Sequence, residues 1–212
     1  MNASIEKLAI LVADVGSTKK FGWAGQWGNG TKSGGSIDAL AETLLHLIQD
    51  GWRVSLGFEC PLFIPCPWDA TALVKQREGE AGKPWCAGAG ANAGILGIQQ
   101  LCWLLGTLKS KVPCEVHATT NWAEFKTGSY SLYLWEAFVT GKAKSDSHIG
   151  DAQKALRTFA DALPDLETAN SVKCPRPISL AGLALLWPGL SLDVSVLHRP
   201  TLVLKAAPGE ER

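Results

Sequence analysis

Residues 8–12 (LAILV) are aliphatic at every position, and the run closes on Asp14 and a Gly16-Ser17-Thr18 turn. A run that is apolar throughout, rather than at alternate positions, fits a central strand covered on both faces. Such a strand needs helices on either side, which points to a layered α/β design. Residues 21–24 with Trp27 read as a second strand returning beside the first, and residues 28–35 as a loop or short edge strand. Ser36 then offers an N-cap ahead of Leu40, Leu44, Leu47 and Ile48 at helical spacing, with Gly51 as the stop. Arg53–Glu59 (RVSLGFE) is another strand, ended at Pro61. The GAGANAG stretch opens a helix running through Leu108. Residues 114–118 suggest a short strand and 130–139 a stronger one. Residues 151–162 form an amphipathic helix ended by Pro164, and 179–187 an apolar helix stopped by Pro188-Gly189.

The chain has 212 residues, 46% of them hydrophobic, which is enough for one sizeable core and argues for a single domain. Within it, residues 60–91, punctuated by Pro61, Pro65, Pro67 and Pro84, read as a lid or insertion, and 163–212 as a C-terminal extension. Twenty basic residues balance twenty acidic ones. Zero net charge excludes a protein that coats nucleic acid by bulk attraction, though not one with a local basic groove. No apolar run has the length of a membrane span. The first residues lack the pattern of an export signal, so the expected compartment is the cytoplasm. The six cysteines are scattered without a C-x-x-C pair, which disfavours zinc and predicts reduced, mostly buried thiols. No G-x-G-x-x-G follows the first strand, so a dinucleotide site lacks its fingerprint.

Two strands end in lone acids, Asp14 and Glu59. Side by side in a parallel sheet, these carboxylates would meet at one edge and repel unless a divalent cation neutralised them. Oxygen donors of this kind suit Mg²⁺ or Mn²⁺. Asp151 offers a third ligand, with His148 three residues before it as a proton shuttle. Glu136, a lone acid in an apolar strand, needs solvent, a cation or a metal and is a fourth candidate ligand. Lys19, Lys20, Lys75, Arg77 and Lys83 supply cations for a phosphate backbone, and Trp85 a ring on which a base could stack. Gly88, Gly90 and Gly94 could present backbone N–H groups to a phosphate. Each also has a plainer reading: Asp14 as a turn cap, Asp151 as an acid favoured by the helix dipole, the glycines as close packing, Trp85 as core.

ADVGSTKKFGWAG resembles the first-strand motif of the RNase H-like superfamily, especially its RuvC-type resolvases. GFECPLFIPCP resembles the acidic strand-end motif of that superfamily. It is closer still to a bacterial family of predicted RNase H-fold nucleases, in which an acid precedes a Pro-x-x-x-Pro stretch. HIGDAQKAL resembles the acid motif of the final helix, although resolvases carry paired acids there. The resemblance covers residues 8–162. It implies an α/β fold with an RNase H-like mixed five-stranded sheet, an antiparallel hairpin followed by parallel strands, flanked by helices. It also implies phosphodiester hydrolysis of DNA or RNA with two divalent ions, Asp14 bridging both, Glu59 binding one and Asp151 completing the other, and a homodimer as in resolvases. Two further readings stay open: a catalytically inactive RNase H-fold scaffold, and an ATP-binding relative of actin and sugar kinases, whose first motif DVGSTKK also fits. The second normally requires two like domains and a longer chain.

Overall fold

The computed structural model describes residues 5–80, 84–112, 115–128 and 130–207. In chain order the elements are β1 (Leu8–Asp14), β2 (Gly22–Trp27), β3 (Gly30–Gly34), α1 (Ile37–Gln49), β4 (Arg53–Glu59), β5 (Phe63–Pro65) and α2 (Gly88–Lys111). They continue with β6 (Ala118–Thr119), α3 (Trp122–Thr127), β7 (Leu132–Phe138), α4 (His148–Ala162), β8 (Pro177–Ser179), α5 (Leu180–Leu186) and β9 (Val203–Lys205). The main sheet runs β3-β2-β1-β4-β7-β6, with β9 also paired to β7. β2 and β3 are antiparallel to their neighbours, whereas β1, β4, β7, β6 and β9 run parallel. The fold is α/β with a mixed sheet of antiparallel, then parallel strands flanked by helices.

The aliphatic run is the reason for this layering. Ala9, Leu11 and Ala13 of β1 enter one core, shared with Leu56 of β4, Leu134 of β7 and helices α1, α2 and α5. Ile10 and Val12 enter a second core on the opposite face, with Tyr133 and Trp135 of β7 and helices α3 and α4. Period-two alternation of side chains thus divides each central strand between two apolar layers.

The sheet has seven strands rather than the expected five. Residues 28–35 supply the edge strand β3, and the short strand expected over 114–118 is β6, starting at Ala118. The seventh strand comes from the 163–212 stretch. β6 pairs with the start of β7 and β9 with its end, so two short strands divide one outer edge. The 60–91 segment is held rather than hinged over its described residues. β5 pairs antiparallel with β8, and Leu62, Phe63, Arg77 and Glu80 are buried. Of the five described cysteines only Cys60 is buried; the other four are partly exposed, against the expectation of mostly buried thiols. No described helix is long and apolar enough to cross a membrane.

Candidate metal centre

β1 and β4 are hydrogen-bonded in parallel register with Asp14 opposite Glu59. Both acids fall on the same sheet face as Ile10 and Val12, the face that α4 covers. α4 starts one turn earlier than the hydrophobic pattern predicts. Ser147 caps it by accepting from the Gly150 N–H at 3.1 Å, so His148 opens the helix and Asp151 stands in its first turn. Residues three apart share a helix face, and both therefore turn toward the strand ends. A glycine makes the approach possible: a Cβ on Gly22, the β2 partner of Asp14, would run into the backbone of His148 and Ile149.

Carboxylate oxygens of Asp14, Glu59 and Asp151 lie within 4.8 Å of one another. His148 Nδ1 is 2.6 Å from Asp14 Oδ2. The Ser145 N–H donates to Asp151 Oδ1. Lys144, which the sequence reading does not single out, donates from Nζ to Glu59 Oε1 and to Asp151 Oδ2, each at 2.9 Å. Glu59 Oε2 is buried without a hydrogen-bond donor among the described residues. Burial pushes the Glu59 carboxyl well above its usual range, and the adjacent Asp14 adds to the effect. Burial also raises Asp14, against opposing contributions from Glu59 and Lys144. Burial alone would lower the Lys144 ammonium, but the surrounding carboxylates outweigh it and hold the charge in place. Beside Glu59 and Lys144 opens a cleft of about 170 Å³, walled by Ala89 and Gly90 at the start of α2, by Phe138 at the end of β7 with Thr140 beyond it, and by Arg77, Glu80 and Glu136.

Two expected residues take other places. Glu136 follows Leu132 and Leu134 in the alternation of β7, which sets it on the sheet face opposite Asp14 and Glu59. There it meets Arg77, with Nη2 to Oε1 at 2.6 Å and Nη1 to Oε2 at 2.8 Å, and accepts from the Leu62 N–H at 2.9 Å. Arg77, read from the sequence as a phosphate-binding cation, has a side chain that is 0% exposed, and Glu80 is a further partner at 2.8 Å. The pair is an internal clasp between the 60–91 segment and β7. It is neither a metal ligand nor a surface cation. Trp85 is half-buried, and its indole N–H donates to the Lys75 carbonyl. Lys19, Lys20 and Lys75 are exposed, and Lys83 lies outside the described residues.

The arrangement offers hard oxygen donors, two of them from neighbouring strands, to a small divalent cation. Glu59 Oε2 has no N–H or O–H donor among the described residues, and only a proton shared with the adjacent Asp14 carboxyl would otherwise pair it; such an ion fits there, because a buried carboxylate oxygen is costly to leave unpaired. Comparison with protein-family models, curated proteins and solved structures finds no match to the chain.

Proposed function

We propose that this chain is a divalent-metal-dependent nuclease on an RNase H-like sheet, hydrolysing phosphodiester bonds of a nucleic acid. The observation that carries this reading is the trio itself. Asp14 and Glu59 are in register at adjacent parallel strand ends, and Asp151 reaches them from α4 within 4.8 Å. Asp14, Glu59 and Asp151 would hold Mg²⁺ or Mn²⁺. When bound, such ions supply an activated water and stabilise the charge on the leaving oxygen.

The remaining work falls to the chain. His148 and Ser145 orient the Asp14 and Asp151 carboxylates through hydrogen bonds, as supporting groups around metal ligands do. With Asp14 ionised, His148 donates from Nδ1, which leaves Nε2 to exchange a proton with water or a leaving group. The cleft beside Glu59 gives a phosphodiester a place to lie, and the exposed Lys19, Lys20 and Lys75 supply cations for the flanking phosphates.

The test is Mn²⁺-dependent cleavage of labelled single-stranded and branched DNA and RNA. Asp14→Asn should lower the rate by about a hundredfold or more, on the scale of losing a group that acts directly on the reacting centre. Equal cleavage by wild type and Asp14→Asn would exclude this site as the source of activity.

One observation favours the scaffold alternative: Lys144 and His148 already partner the three carboxylates. A metal-free binding protein predicts no Mn²⁺ heat by calorimetry even at about pH 8, well above the range in which carboxylates ordinarily ionise.

A further inference from the structure

The inference here rests on the divalent-metal reading and concerns Lys144, to which that reading gives no part. Asp14, Glu59 and Asp151 have side chains only 3%, 10% and 4% exposed. Three buried carboxylates so close together repel one another unless a cation enters among them. Lys144 is that cation, bridging Glu59 Oε1 and Asp151 Oδ2.

The parts around it differ in freedom. Its backbone is anchored: the Lys144 N–H donates to the Gly141 carbonyl at 3.2 Å, and the preceding Ala143 is buried, with its carbonyl accepting from Lys154 Nζ at 2.7 Å. The side chain is 44% exposed and borders the cleft, so it has somewhere to go. Among the described residues its ammonium bonds only to the two carboxylates. A divalent ion using Glu59 and Asp151 would compete with the ammonium for the same oxygens. Two like charges on one pair of acceptors disfavour each other strongly in a site this buried. Among the described residues Glu59 Oε2 is buried without an N–H or O–H donor, so the single ammonium leaves one carboxylate oxygen of the cluster unmet.

We propose that Lys144 is a resident place-holder for the metal. Its ammonium neutralises Glu59 and Asp151 in the metal-free protein, and a divalent ion displaces it into the adjoining cleft. Lys144 therefore lowers the affinity for metal while keeping the empty carboxylate cluster folded.

The test is Mn²⁺ titration by calorimetry of the full chain as wild type, Lys144→Met and Lys144→Arg. Lys144→Met should bind Mn²⁺ at least about tenfold more tightly than wild type, because the competing charge is gone, while Lys144→Arg stays near wild type. Equal or weaker binding by folded Lys144→Met would overturn the place-holder role and leave the metal reading standing. Absence of Mn²⁺ binding by wild type and both variants would overturn the two together. Should Lys144→Met fail to fold, a second measurement decides. Lysines of the wild type are labelled biosynthetically with ¹³C at Cε, which leaves the ammonium intact, and the Lys144 resonance is identified by its loss in Lys144→Arg. Mg²⁺ should move it toward the position of a solvent-exposed lysine, and a resonance unmoved at saturating Mg²⁺ would overturn the proposal.

Discussion

Arg77 and Glu136 are the side chains whose roles differ most between sequence and structure. An arginine in a proline-rich, charged segment has the composition of a phosphate contact, and a lone glutamate in an apolar strand has that of a metal ligand. Each is instead the other's partner, fully enclosed. Neither assignment is legible in one dimension, because the pairing spans 59 positions. The energetic consequence is large. Arg77→Met leaves the Glu136 and Glu80 carboxylates buried without their cation and should destabilise the fold by about 3–5 kcal/mol. Urea unfolding of the variant measures this, and a loss within about 0.5 kcal/mol, as for an ordinary surface substitution, would mean that the clasp is dispensable. Asp14 and Glu59, by contrast, are legible as a pair, because each closes an apolar strand and parallel pairing brings strand ends together. Lys144 is not: it sits in GKAKSDS, a stretch without periodicity, where nothing marks one lysine above another.

Among the elements, the long or strongly apolar ones announce themselves and the short ones do not. β1, β4, β7 and the apolar stripe of α1 carry clear patterns. β5, β8 and β9 have three residues each, too few for alternation to separate strand from loop. Strand phase is hidden as well. Both faces of β7 are apolar, so hydropathy cannot tell that Glu136 points away from the face carrying Glu59. The start of α4 is set by Ser147 rather than by its apolar stripe. That start is also where the site is most sensitive to backbone packing. Gly22→Ala puts a methyl group into the backbone of His148 and Ile149, so α4 must back away from Asp14. We expect the variant to remain folded but to bind Mn²⁺ at least about tenfold more weakly, as ligands lose their positioning. Calorimetry beside circular dichroism checks both, and unchanged Mn²⁺ affinity would show that this contact does not set the site.

Stability and site chemistry are coupled across the molecule. Asp14 and Glu59 ionise above their ordinary values of 3.8 and 4.5 because burial disfavours the charged forms. As pH rises, the unfolded chain gives up these protons first. The two groups' contribution to stability is therefore complete below the ordinary carboxylate range and is lost as pH climbs through the raised folded values. In EDTA the thermal midpoint should fall over that interval, and the fall should be smaller in Glu59→Gln. Saturating Mn²⁺, which favours the ionised carboxylates, should reverse it. Scanning calorimetry against pH, with and without metal, makes the comparison. A midpoint that fell equally in wild type and Glu59→Gln would assign the slope to other groups.

The in-register pairing of Asp14 with Glu59 also decides which changes in chain length the site can absorb. Their separation belongs to the hydrogen-bonded ladder and not to the polypeptide that joins β1 to β4. Residues inserted at the exposed β2–β3 turn, around Gly28 and Asn29, lengthen that connection and leave the two carboxylates side by side. One residue inserted within β4 has the opposite effect. With the start of the strand held in place, the insertion reverses the facing of every side chain beyond it and carries Glu59 to the face occupied by Glu136. The acid pair thus tolerates an added loop and is dismantled by a single-residue slip.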